Sequence, residues 1–231
     1  MPRRPEIRER RQRERRRQRL VFALIVLGAA VVVAAAMLYP RIAPIGEIVQ
    51  ITPVARPLAE GREIGDPSAP VVVELFEDFQ CRGCREFTAS TEPQLISAYV
   101  EAGEARLVFR HYAFIGPESV QAANAALCAE EQGRFWDYHD ILFANQVGEN
   151  QGAFVDRRLV GFAESLGLDL EAFQSCFEES RHEQEIAQDR AAGTELGVTS
   201  TPSIVVNGQL VVSTNPGFIP SFGEISAAIE A

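Results

Sequence analysis

Lysine is absent from the 231 residues, so all 22 basic side chains are arginines. Ten of them crowd into residues 1–19, against Glu6, Glu9 and Glu14. Beyond that head cationic charge is scarce: 12 arginines face 29 acids, a net of −17. Phosphate binding needs a basic face, which excludes nucleic acid as a partner of the bulk of the chain. Histidine is also sparse, with His111, His139 and His182 far apart. No internal repeat occurs, and no low-complexity tract beyond the arginine head.

What the chain does have is one long apolar run. Leu20 to Tyr39 is 20 residues without a charge, and a membrane span needs about 20. Arginines before it and an acidic chain after it predict a head-in, body-out orientation. The rival is a cleaved signal peptide, with Ala34 and Ala36 as a small-residue site, but this run exceeds the usual apolar core of about 7–15 residues. The expected organisation is a basic cytoplasmic segment (1–19), a single-pass cell-membrane anchor (20–39) and an extracytoplasmic remainder. Outside the cytoplasm disulfides persist, and the four cysteines allow three pairings.

Residues 40–60 read as a stalk, with Pro40, Pro44, Pro53 and Pro57, and with one short strand near Glu47 to Val54. Residues 61–231 read as one domain. "VVVELFEDF" has the continuous apolar, β-branched and aromatic character of a buried strand. A helix is expected from Cys84 to Ala102, kinked at Pro93, then a second buried strand, "ARLVFRHY" (105–112). From about 117 to 197 the apolar spacing is helical in five segments. "SIVV" and "QLVVS" return to strand, joined by Asn207-Gly208, a short-hairpin signal, and "IPSFGEISAAIEA" closes as a helix. The predicted fold is α/β, a mixed sheet interrupted by a helical insertion.

Cys81 and Cys84 therefore stand where a strand hands over to a helix. A helix N-terminus offers unpaired N–H groups and partial positive charge, which stabilise a thiolate and make it reactive at neutral pH. Cys81, the outer sulfur, is the expected nucleophile, Cys84 the resolving thiol, and Arg82 a charge that tunes the Cys81 pKa. Stabilising the thiolate stabilises the reduced form and makes the disulfide a stronger oxidant. A zinc site would need a second Cys-x-x-Cys or a close His pair, so no metal is expected. An inert disulfide closing so small a loop would add little stability. Thr201-Pro202 enters a strand, where proline is tolerated at the start or edge. A cis bond there would leave the Thr201 backbone free to pair with an extended substrate, and an ordinary trans proline is the alternative.

"GDPSAPVVVELFEDFQCRGC", "AANAALCAEEQGRFWDYHDILF" and "GVTSTPSIVVNG" resemble the DsbA-like thiol–disulfide oxidoreductases of the thioredoxin superfamily, membrane-anchored type, over about residues 60–231. The resemblance implies a thioredoxin fold with a helical insertion between the second and third core strands, and no cofactor. It implies a cis bond at Thr201-Pro202 and a substrate groove around Cys81 and Pro202. It also implies exported reduced or unfolded proteins as substrates, and reoxidation by a quinone-linked membrane partner of the DsbB or vitamin-K-epoxide-reductase type. Some members of the membrane-anchored type pair two such cysteines, as Cys128 and Cys176 would pair; the alternative is two buried free thiols acting as small apolar residues. Closing that 48-residue loop would contribute about 4 kcal/mol by chain entropy.

Two departures stand out. Arg82-Gly83 replaces the proline and aromatic or histidine that relatives often carry between the cysteines. Leu75 occupies the place of their buried acid, with Glu74 pointing the other way and Glu77 and Asp78 as weak substitutes. Phe135, Trp136 and Phe143 are expected in the core, His139 and His182 on the surface, and His111 within possible reach of the site. The expected activity is a dithiol oxidase. A reductase or isomerase on the same fold and a non-catalytic peptide-binding module are its rivals.

Overall fold

The computed structural model describes residues 4–42, 45–56, 58–214 and 219–231. Pro44 and Pro57 of the expected stalk lie outside these. The chain divides into two compact units, Met1–Gly46 and Glu47–Ala231. In the first, α1 (Arg4–Ile42) is a single helix that takes in most of the arginine head as well as the apolar run. Its stretch Arg13–Tyr39 is long and apolar enough to cross a membrane, and none of it is buried by protein.

The second unit is built on a six-stranded sheet, ordered β1-β2-β4-β3-β5-β6. At its centre β3 (Val71–Glu77) and β4 (Ala105–His111) run parallel, in register from Val71 against Ala105 to Glu77 against His111. On the other side of β3, β5 (Ser203–Val206) is antiparallel and continues through Asn207-Gly208 into β6 (Gln209–Leu210). Both turn residues have positive φ, +46° and +78°, which is the geometry a tight hairpin needs. The outer edge is the short pair β1 (Ala59–Glu60) and β2 (Glu63–Ile64).

Because β3 is covered on both faces, it carries apolar residues at nearly every position. Val73, Leu75 and Phe79 join one large core, while Phe76 joins Tyr112, Val198 and Val205 on the other face. Between β4 and β5 lie five helices: α4 (Pro117–Glu130), α5 (Phe135–Ala144), α6 (Asp156–Ser165), α7 (Leu170–Glu178) and α8 (Glu183–Glu195). They are the helical insertion. α8 lies close to the sheet at Gly193, where a Cβ would stand 2.8 Å from Phe76 Cδ1 and 2.9 Å from Tyr112 Cδ2. A disulfide of 1.97 Å joins Cys128 of α4 to Cys176 of α7, both buried.

The structure departs from expectation in three places. Residues 47–54 form no strand. Instead the Asn145 side chain accepts from Val49 N and donates to Val49 O, both within 2.9 Å, doing with one amide what a neighbouring strand would do. The helix after Cys81 is broken: α2 (Arg82–Ser90) ends before α3 (Glu92–Leu95), and Ile96–Val100 forms a π-helical turn. Pro93 sits at the start of α3, where a missing N–H costs nothing. Finally, His139 is fully buried. It is packed edge-on to Phe79 and Trp136 and tilted against Phe135, with Nδ1 2.9 Å from Asp140. His182 is partly covered and bonded to Glu131 and Glu185.

Candidate active site

β3 ends at Glu77, the chain turns through Asp78, Phe79 and Gln80, and Cys81 caps α2 with extended backbone angles. The turn is held by a buried carboxylate. Asp78 accepts from Gln80 N, from the Ser119 hydroxyl, and from Phe114 N and Ile115 N. Gln146, just beyond α5, donates its Nε2 to Phe79 O (2.8 Å) and Cys81 O (3.0 Å). Sequence reading passed over Asp78 as a structural clamp and missed Gln146. The insertion thus grips the backbone of the cysteine turn directly.

Cys81 is half-buried, Cys84 fully buried, and both are free thiols. The Cys81 thiol donates to Thr201 O at 3.2 Å. The Thr201-Pro202 peptide is cis, and the proline ring lies against Gly83, where a Cβ would be 3.2 Å from Pro202 Cδ and 3.1 Å from Ile219 Cδ1. So Cys81, Cys84, Thr201 and Pro202, which the sequence separates by 120 residues, form one site.

The two sulfurs ionise very differently. Cys81 is lowered from 9.0 to about 6: the Cys84 thiol's hydrogen bond is the largest cause, burial opposes it, and the Thr201 hydroxyl and the N–H groups of Cys84 and Gly83 add to it. Cys84 is pushed well above the ordinary thiol range by burial, by the bond it gives to Cys81, and by the charge of Glu77. Arg82 is exposed on the first turn of α2; the causes that lower the sulfur's pKa are led by hydrogen bonds.

Glu77, which the sequence offered only as a weak stand-in for a missing acid, is 1% exposed, and neither carboxyl oxygen has a hydrogen-bond partner. Burial raises its pKa strongly, the charges of Glu92 and Cys81 raise it further, and the nearby Thr88 hydroxyl and Cys84 thiol pull it back. Leu75 faces the core two residues earlier. Strand alternation puts Leu75 and Glu77 on the same face, so an acid here is one pleat nearer the cysteines. His111, the register partner of Glu77, is buried among Phe79, Phe109 and Phe135. Burial and the charges of Arg62, His139 and His182 hold it well below the usual histidine range.

Among the described residues one cluster has metal-ligand spacing: Cys128, Cys176 and His182, within 4.8 Å. The disulfide occupies both sulfurs, and His182 already bonds two glutamates.

A family model described as Thioredoxin matches residues 59–230. The chain belongs to that family. A relative named probable disulfide bond formation protein D, from Bacillus anthracis, is 28% identical over 161 residues, covering 68% of this chain and 73% of that protein. Among solved structures, oxidised BdbD from Bacillus subtilis superposes with a TM-score of 0.65 at 23% identity, over 80% of this chain and 97% of that one. A thioredoxin-like oxidoreductase from Silicibacter pomeroyi DSS-3 superposes with a TM-score of 0.59 at 32% identity, over 73% and 89%. This thioredoxin-family chain thus has the DsbA-like architecture: the core sheet, the insertion after β4, and the cysteine pair at the head of α2.

Proposed function

We propose that this thiol–disulfide oxidoreductase works as an oxidase, donating the Cys81–Cys84 disulfide to reduced proteins. The observation that carries the reading is the asymmetry of the sulfurs, Cys81 at about 6 and Cys84 far above it. A stabilised thiolate favours the dithiol, and a favoured dithiol means an oxidising disulfide. The relative named for disulfide bond formation points the same way.

In the forward reaction a substrate thiolate attacks Cys81 Sγ. The Cys81–Cys84 bond breaks, its electron pair passes to Cys84, and that buried sulfur is protonated. A second substrate thiolate then attacks the substrate sulfur of the mixed disulfide, and Cys81 leaves as a thiolate, a good leaving group at its low pKa. The substrate loses two electrons and the cysteine pair gains them. The Thr201 backbone, beside the sulfur, would pair with an extended substrate segment. Arg82 would add a modest favourable field, and Cys128–Cys176 would act as a staple outside the exchange. We also propose a single-pass anchor at 20–39 with the catalytic unit extracytoplasmic. Exported proteins are then the substrates, and a quinone-linked membrane protein of DsbB or vitamin-K-epoxide-reductase type restores the disulfide.

The test is the reduction potential, by equilibration with glutathione and mass shift after alkylation. A value near about −120 mV supports the oxidase, and one near about −270 mV replaces it with a reductase.

A further inference from the structure

Asn145 and Gln146 are consecutive residues whose side chains are tied to different parts of the chain. Asn145, buried at the end of α5, holds Val49 by both backbone groups. Its Oδ1 accepts from Val49 N at 2.8 Å, and its Nδ2 donates to Val49 O at 2.9 Å. The second Nδ2 proton goes to Ile141 O at 2.9 Å, and Arg158 gives Oδ1 a further donor at 3.4 Å. The amide is therefore saturated, two donors and two lone pairs, and its orientation is fixed. Gln146 sends its side chain to the cysteine turn instead, at Phe79 O and Cys81 O. The two residues share a planar peptide, with Cα atoms about 3.8 Å apart, so a displacement of Asn145 is a displacement of Gln146.

The stretch that Asn145 holds, 47–56, is lightly attached. It forms neither helix nor strand, and most of it is exposed, the Val49 side chain included. Ile48 and Ile51 lay their side chains on the core. Its polar fastenings are made by side chains: Arg158 donates to Glu47 O at 3.4 Å, and Asn145 clips Val49. Further along, Arg56 grips Asp140 of α5 at 2.8 and 2.9 Å and lies over the Trp136 ring. A segment with few buried apolar contacts and no backbone ladder belongs to the least stable part of a fold. It can come away while the sheet stays folded.

We propose that residues 47–56 are a strap, and that Asn145, a positioning residue, passes the seating of that strap through Gln146 to the backbone that aims Cys81. The proposal rests on exchange at Cys81, in either direction. With the strap seated, Asn145 is fixed, and Gln146 holds the carbonyls on either side of Gln80. Cys81 Sγ then stands 3.2 Å from Thr201 O. With Val49 released, the Asn145 amide loses a donor and an acceptor together and turns to find others. Gln146 moves with it, its grip on Phe79 O and Cys81 O loosens, and the sulfur is less well placed against Thr201. Exchange slows although the sheet is intact. In sequence the strap lies between α1 and β1, so a segment outside the sheet sets how the reactive cysteine is presented.

The experiment uses the full chain in detergent and three readouts. These are the rate at which glutathione reduces the Cys81–Cys84 disulfide, the pH midpoint of Cys81 alkylation in the reduced protein, and the urea midpoint. The variants are Val49→Pro, which deletes the donor to Asn145, then Asn145→Leu, Gln146→Met, and Val49→Pro combined with Gln146→Met. Loss of the strap's hydrogen bonds in Val49→Pro or Asn145→Leu should slow reduction at least about threefold and raise the alkylation midpoint. Gln146→Met, which gives up two bonds to the turn, should slow it about tenfold. In the combined variant Val49→Pro should add less than about twofold, because the strap acts through the side chain already removed. A wild-type rate in Val49→Pro or in Gln146→Met would overturn the proposal. So would a lowered urea midpoint with rate and alkylation midpoint unchanged, which is the mark of a strap that only stabilises. Effects that multiply in the combined variant would overturn it too. If Val49→Pro does not fold, Asn145→Leu takes its place, alone and in the combination. The reduction potential, which decides between oxidase and reductase, is measured separately, and either value leaves this coupling readable.

Discussion

Thr201 holds the Cys81 sulfur through its backbone: its carbonyl accepts the thiol proton at 3.2 Å, and its side chain is among the causes that lower the thiol's pKa. Thr201→Val keeps the shape and the carbonyl but removes the hydroxyl. The midpoint for Cys81 alkylation by iodoacetamide, expected at about 6 in the wild type, should rise while staying below the ordinary 9.0. An unchanged midpoint would leave the hydroxyl without a role.

The same pKa sets a stability difference between redox forms. Cys81 drops from 9.0 to about 6 on folding, so the reduced form gains stability that is full above pH 9 and is lost as pH falls through 6. A half-buried sulfur is partly screened, so the gain is on the order of 1–2 kcal/mol. Thermal unfolding of reduced and oxidised protein should show the reduced form ahead at pH 8 and the gap closing toward pH 6.

Glu77 has the opposite sign. Its folded pKa is raised, so its contribution is present below the unfolded value of about 4.5 and is lost as pH rises. Glu77→Gln should therefore be more stable than wild type in the oxidised form, by a margin that grows with pH, while exchange at Cys84 slows. Urea unfolding at pH 5 and pH 8 checks the first statement and glutathione kinetics the second.

At Gly193 a methyl group would meet two buried aromatic rings at 2.8 and 2.9 Å. Gly193→Ala should cost about 1–3 kcal/mol through overpacking, despite alanine's better helix propensity. Denaturant midpoints measure it.

Cys128 and Cys176 close a loop of 48 residues. Replacing both by serine should cost about 4 kcal/mol and leave the Cys81–Cys84 potential in place. A large change of potential would mean that the two pairs communicate.

Much of this was legible in the residues. The core strands, the five insertion helices and the hairpin follow from apolar period and from Asn207-Gly208, because local pattern and tertiary role agree there. Cys81, Cys84, Thr201 and Pro202 announce themselves through types whose chemistry is narrow. What stayed hidden depends on distance through space. His139 looks like a helix-surface residue until Phe79, Phe109 and Trp136 close over it. Glu77 reads as one acid among 32 until burial singles it out. Nothing local to Asn145, Gln146 or Arg56 tells that they will bind backbone or carboxylates 96, 65 and 84 residues away.

Gln146 bears on how such sites can be transplanted. Its two bonds to Phe79 O and Cys81 O make the helical block part of the scaffold that aims the reactive sulfur. A graft of the four-residue cysteine turn onto another thioredoxin frame would bring the sulfurs without the grip on their backbone. The portable unit is the turn together with the loop that follows α5, two stretches of chain that fold as one part.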